Sequence, residues 1–183
     1  MEELRLREIT MERHKDAERS NFAKKLVSGK VTRAEYSCYL YNMRSVYSWI
    51  ETAAIRLRAL EGIEGIRRTK AINSDHKIIQ LNSDYHLKSA LEYTDYLASI
   101  TQTDTILAHV YVRHMGDLSG GQIIANKLKD KFPTKFYEFA EDPEVLKDKL
   151  KAKLNNDMAD EAMLAFDYAN KIFLELDQSD DLG

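Results

Sequence analysis

The densest chemistry in the 183-residue sequence lies in Tyr111-Val112-Arg113-His114-Met115-Gly116-Asp117-Leu118-Ser119-Gly120-Gly121-Gln122. The chain has only seven glycines, where average usage would supply about 13, yet Gly116, Gly120 and Gly121 crowd into this stretch. A glycine inside a helix costs about 1 kcal/mol relative to alanine, so three within a long apolar pattern require a reason. Without a Cβ, backbone can lie directly against a flat ligand. Alternatively Gly116 and Gly120, four apart on one face, allow a close helix crossing. Spacing alone leaves these two readings level. A phosphate cradle fits less well, because no Lys-Ser/Thr follows the glycines and no strand precedes them. Arg113 and Asp117, also four apart, add a charged pair of a kind common on helix surfaces.

His14 is the second centre. Thr10, His14 and Glu18 recur every four residues and so share one face of a helix. A carboxylate one turn from a histidine fixes its proton and raises its basicity, as metal-binding histidines usually require. A solvated histidine on a charged helix is the commoner source of such spacing. The remaining histidines carry less. His76 and His86 stand in polar surroundings without paired-ligand spacing, and His109, between Ala108 and Val110, reads as a satisfied core histidine. Cys38 has no identifiable base nearby in sequence, and the basic stretches Lys127–Lys131 and Lys147–Lys153 read as solvated helix faces.

The elements that must position these residues are helices. The patterning predicts helices at about 3–18 and at Asn21–Ser28, the latter ended by Gly29. Thr32-Arg33-Ala34-Glu35 fits a capping box, opening a long helix with Tyr36, Leu40, Met43, Tyr47, Ile50, Ala54 and Leu57 along its buried stripe. That helix is expected to stop near Gly62. Residues 64–100 read as two or three helices broken near Ser74 and Lys88. Asp104 opens a helix that enters the glycine cluster at Gly116 and resumes at Gln122, until Phe132-Pro133. Asp142-Pro143 starts another. Met158, Ala162, Phe166, Ala169, Phe173 and Leu176 mark the last. No strand-like alternation, long linker or repeat interrupts them, so the expectation is one all-α domain over 1–183 with a flexible last few residues.

Composition bounds the function. The net charge of −3 argues against nucleic acid or anionic membrane as the main partner. No run approaches the roughly 18 apolar residues of a membrane span. A single cysteine rules out an internal disulfide and points to a reducing compartment, taken here as the cytoplasm. The opening MEELRLREIT lacks a signal peptide's apolar core.

The run Leu107-Ala108-His109-Val110-Tyr111, with Arg113 and then Gly116-Asp117-Leu118-Ser119-Gly120-Gly121-Gln122, resembles the signature of the haem oxygenase family. Three further segments agree in order: Thr10 to Glu18, Gly29-Lys30-Val31-Thr32-Arg33, and Phe136-Tyr137-Glu138-Phe139. The resemblance implies a helical bundle with haem b between the first helix and a glycine-kinked helix, serving as cofactor and substrate with O2 as co-substrate. It implies that His14 is the axial iron ligand, with Glu18 accepting a hydrogen bond from its other ring nitrogen and Thr10 on the same face. Gly116, Ser119, Gly120 and Gly121 would lie against the porphyrin. Arg113, Asp117 and Tyr47 match positions around an ordered water network, where Asp117 delivers protons through water. Arg7, Tyr111, Lys147 and Lys151 fall where propionates are held, and Phe173 would line the pocket. The implied products are biliverdin IXα, by cleavage at the α-meso carbon, carbon monoxide and ferrous iron.

Some positions depart from the family pattern. Met11 stands where relatives often carry a basic residue, and His114 replaces the usual tyrosine. The chain is trimmed between 62 and 104 and before Pro143, and has no hydrophobic tail. These traits imply a soluble enzyme fed by ferredoxin, with Lys127–Lys135 as a docking patch and a bilin reductase downstream. A non-catalytic haem carrier of the same fold is the alternative; it would have no need of Asp117 and Arg113. A thiaminase-type hydrolase would need a cysteine–carboxylate pair, which Cys38 does not provide. A purely structural helical protein leaves the glycines explained only as a crossing.

Overall fold

The computed structural model describes residues 2–179, and within them every regular element is helical. The elements are α1 (Leu6–Ile9), α2 (Met11–Arg19), α3 (Asn21–Ser28), α4 (Arg33–Arg56), α5 (Thr69–Ile79), α6 (Lys88–Ala98), α7 (Thr103–Leu128), α8 (Pro143–Lys151) and α9 (Ala159–Ser179). Single 3-10 turns sit at Glu64–Ile66, Lys135–Tyr137 and Asn156–Met158. No helix among the described residues is long and apolar enough to cross a membrane. The expected flexible tail at the C-terminus lies outside the described residues.

The longest buried stripe belongs to α4. Its Tyr36, Leu40, Met43, Tyr47, Ile50 and Ala54 are fully buried, and α5, α6 and α7 pack around it. The predicted capping box opens this helix: Thr32 Oγ1 accepts from the Glu35 amide at 3.2 Å and Glu35 Oε2 accepts from the Thr32 amide at 2.7 Å. Asp142 caps α8 with Pro143 in its first turn. Gly29 ends α3 in the left-handed region at φ 73°, where a side chain would be strained.

Several expected boundaries move. The single first helix is split at Thr10, whose hydroxyl turns back to the Leu6 carbonyl at 2.7 Å. The long second helix ends at Arg56 rather than near Gly62, because Arg58 takes a positive φ of 59° and a turn follows. No break occurs at Ser74; α5 continues to Ile79 and the chain leaves the helix at Gln80. The helix carrying the glycines is assigned as one element from Thr103 to Leu128, without the interruption expected between Gly116 and Gln122, and none of its glycines has a positive φ. Burial of Ile106 to Val110 before the cluster and Leu118 within it holds the helix together despite its weak formers.

Candidate functional site

α9 sets the position of His14. Arg13 on α2 reaches Asp167 at 3.2 Å, and Asp177 accepts the backbone amides of Asn21 and Phe22 at 3.1 and 2.7 Å, capping α3 from outside. The His14 ring stands edge-on to Phe166, 5.9 Å between centroids. Nδ1 of His14 lies 3.5 Å from Glu18 Oε1, and Nε2 makes no hydrogen bond among the described residues. The side chain is half-exposed, at 49%.

The N-terminal helices meet α7 at two places, at Tyr111 and at the end of α3. At the first, Thr10 and Arg7 lie beside the Tyr111 hydroxyl: burial pushes that phenol up, and their donor and charge work against the rise. At the second, a Cβ at Gly29 would sit 3.2 Å from Lys127, and Lys131 Nζ donates to the Gly29 carbonyl at 3.0 Å. Between these contacts the glycines separate into two kinds. A Cβ built at Gly116 or Gly120 meets nothing within 4 Å, whereas one at Gly121 would stand 2.7 Å from the Tyr137 ring. The two sequence readings of the cluster are thus divided between its members. Gly121 is the close crossing, against Tyr137; Gly116 and Gly120 border open space.

Behind those glycines the α7 face is buried and polar. The Tyr47 hydroxyl donates to Asp117 Oδ2 at 2.6 Å. Burial pushes the Asp117 carboxyl up to about 6, against the lowering influence of His114, the Tyr47 hydrogen bond, Arg113 and Arg68. Arg113 lies 5.5 Å from the Tyr47 ring, with its other contacts at Met43 Sδ, 2.8 Å, and the Tyr39 hydroxyl, 3.4 Å. Burial works against its charge, but Tyr47, Tyr39 and Asp117 favour it and its pKa is raised on balance. Arg113 Nε, His114 Nδ1 and the Tyr137 hydroxyl are buried without hydrogen-bond partners among the described residues. Three orphaned polar atoms in one interior are unusual, since such groups are normally paired or watered.

The structure therefore assembles Tyr47, Arg113 and Asp117 in one cluster, and Arg7, Thr10 and Tyr111 in another. Ser119 is exposed near the open glycines. Phe173 is half-buried between Phe22 and Tyr39, at centroid distances of 5.9 and 6.5 Å. Lys147 is engaged by Glu144 at 2.8 Å, and Lys151 is exposed on the same helix. His109 is a satisfied core histidine, held by Tyr93 at 2.6 Å and Glu161 at 2.7 Å. His76 has the polar surroundings expected, and it is buried among them: Asp84 at 2.8 Å and Arg44 at 3.3 Å tie the 80–87 loop to α4 through its ring.

Sequence reasoning missed Glu51 and Arg68. Glu51 Oε2 lies 2.9 Å from His114 Nε2 and accepts the Arg68 amide at 2.6 Å; Oε1 accepts the Thr69 hydroxyl at 2.7 Å. Arg68 is buried over the Phe139 ring at 3.8 Å and donates to the Phe136 and Glu138 carbonyls at 3.2 and 2.6 Å. A signal existed for Glu51, which stands one turn after Tyr47 on a stripe otherwise apolar.

This arrangement defines an all-helical protein with a half-exposed histidine on its N-terminal arm and a helix on which two open-faced glycines flank a buried acid. The chain belongs to the haem oxygenase family: the family model described as "Heme oxygenase" matches residues 3–175. A heme oxygenase of Porphyra purpurea is 30% identical, covering 95% of this chain and 86% of its own. A heme oxygenase-1 of the cyanobacterium Synechocystis, solved in complex with heme, superposes with a TM-score of 0.83 at 26% identity, over 97% of this chain and 95% of that one. Heme oxygenase-2 of the same organism, solved with heme and NO, gives 0.84 at 25% identity, over 98% and 87%.

Proposed function

We propose that this protein oxidises haem to biliverdin, carbon monoxide and ferrous iron. The observation that carries the reading is the open space at Gly116 and Gly120 on the helix of the buried acid, together with a half-exposed His14 whose Nε2 makes no hydrogen bond among the described residues. The residues fit haem by their chemistry. His14 would hold the iron through Nε2 while Glu18 orients the ring through Nδ1. The bare backbone of Gly116 and Gly120 allows a planar ligand to lie close, with Ser119 at its margin. Arg7 and Tyr111, joined by Thr10, would meet one propionate, and Lys147 and Lys151 the other; Lys147 would leave Glu144 to do so. Phe173 would line the pocket through its contact with Tyr39. When bound, haem supplies both the oxygen-activating iron and the carbon that is oxidised.

The chain's own residues handle the protons. A carboxyl poised near 6 keeps both protonated and ionised forms populated at neutral pH, which is what a proton-delivering group requires. Tyr47 fixes the Asp117 side chain, and Arg113 supplies permanent positive charge beside it. A non-catalytic carrier is the weaker reading, because a buried carboxyl held away from its preferred charge state is costly and binding alone gives it no task.

Ferredoxin is the electron donor we assign, a bilin reductase the consumer of product and the cytoplasm the setting. Relatives from a red alga and a cyanobacterium support that donor. A second support is the lysine surface, where Lys24 and Lys30 border a groove at the end of α3 that adjoins Lys127 and Lys131 of the α7 end. The test is turnover of the haemin complex with ferredoxin, its reductase and oxygen. The Soret band should fall as a biliverdin band grows; a Soret band that persists unchanged marks a carrier and overturns the reading.

A further inference from the structure

We infer that Glu51 holds His114 in the form with its proton on Nε2, making Nδ1 a second proton-holding atom in the interior behind the open-faced glycines. The inference rests on the proposed proton-delivering role of Asp117, and its geometry comes from four observations. Glu51 is surrounded by donors: the Arg68 amide at 2.6 Å, the Thr69 amide at 3.1 Å and the Thr69 hydroxyl at 2.7 Å. Burial pushes its carboxyl up, but the hydrogen bond and charge of His114, with hydrogen bonds from Arg68 and Thr69, bring it below the usual carboxylate range. An ionised carboxylate can only accept, so the 2.9 Å contact with His114 Nε2 is an N–H donated to Glu51. Nδ1 is left as the basic nitrogen, fully buried and without a partner among the described residues.

His114 is three residues before Asp117 on α7, so the two share a face. Tyr47 links them: its ring lies 5.0 Å from the His114 ring while its hydroxyl holds Asp117 at 2.6 Å. The groups facing this pair are Tyr47 and Glu51 from α4, Arg68 ahead of α5, Arg113 on α7 and Tyr137 from the turn after it. A histidine can carry its proton on either ring nitrogen or on both. Protonated at Nδ1, His114 holds Asp117 ionised. Passing that proton through water to the Asp117 carboxylate leaves neutral imidazole and carboxylic acid, with Nε2–H on Glu51 throughout. His114 is thus a positioning and proton-storing residue that acts on Asp117.

The test uses the apoprotein. Long-range 15N–1H NMR of 15N-histidine protein should show neutral His114 with its proton on Nε2; a proton on Nδ1 overturns the proposal without needing any variant. The 13C titration of the Asp117 carboxyl should show two coupled inflections, one shared with the His114 ring. In His114→Tyr and His114→Gln a single inflection should remain, displaced upward because the lowering charge is gone. An Asp117 titration identical in all three proteins also overturns it. Since none of these readings involves haem, a protein that fails to make biliverdin would defeat the proposed reaction and leave this result standing.

Discussion

The two walls proposed to hold haem, α2 and α7, are built on opposite principles. The α2 wall is peripheral: none of its residues is buried, His14 is half-exposed, and the helix is held mainly by its ties to α9. The α7 wall is core: Arg113, His114 and Asp117 are buried, and Tyr47, Glu51 and Arg68 close around them. The α2 side is loosely held; the α7 side is organised by its buried contacts. Preorganised polar groups in a low-dielectric interior act strongly on developing charge but destabilise the protein that carries them. The difference implies that substitutions on the α2 wall change binding without changing stability, while those on the α7 wall change stability and chemistry together.

The sharpest separation compares His14→Ala with substitutions of Asp117. His14→Ala should abolish normal haem coordination, seen as a displaced Soret band, and leave apoprotein stability within about 0.5 kcal/mol. Asp117→Ala should keep haemin affinity within about twofold and lower biliverdin formation by about 100-fold or more. Full activity in that variant removes Asp117 from the mechanism. Stability adds a signed test. A folded-state carboxyl raised to about 6 binds its proton more tightly than the unfolded chain does. Its contribution is fully present below about 4 and is lost as pH rises through about 6. Asp117→Asn should therefore stabilise the apoprotein at pH 7, by about 1–3 kcal/mol, and by little at pH 4. Denaturant melts at both pH values decide this, and equal effects at the two would contradict a strained buried acid.

A smaller contrast lies within the glycines. Gly116→Ala places a methyl in open space and should stabilise the apoprotein by about 1 kcal/mol, the helix-propensity gain. The same methyl would intrude on the ligand and weaken haemin binding about tenfold. Gly121→Ala drives a methyl into the Tyr137 ring and should cost about 1–3 kcal/mol of stability. If both variants behave alike, the division of the cluster into ligand-facing and packing glycines fails.

These contrasts also show what the sequence could convey. Periodicity marks the α4 stripe, because burial of Tyr36 through Ala54 repeats with the helix itself. Caps mark the starts of α4 and α8, because Thr32 and Asp142 act on amides two or three residues away. Signals of that kind are local. The division among Gly116, Gly120 and Gly121 was hidden because Tyr137, which distinguishes them, lies beyond the end of the same helix. Glu51 shows locally only as a charge on an apolar stripe; its task is not local, since its partners His114, Arg68 and Thr69 are 63, 17 and 18 residues away. The helix runs unbroken through the cluster because burial around Leu118, which no local pattern conveys, offsets the glycine cost.

The least effect is expected at the lysine surface, where the two walls share an end. The α3 and α7 termini meet at Gly29 and Lys127, so cations from both walls face the same solvent. Exposed charges mainly steer encounter and are screened by salt. Replacing Lys24, Lys30, Lys127 and Lys129 by glutamine should therefore lower ferredoxin-supported turnover about three- to tenfold at low ionic strength. Turnover driven by a small neutral reductant should not change, and the deficit should shrink as salt is added. Unchanged ferredoxin-supported turnover would dismiss this surface as the docking site. A loss that persists with the small reductant would instead place these lysines in the scaffold, joining the two walls rather than serving an acidic partner.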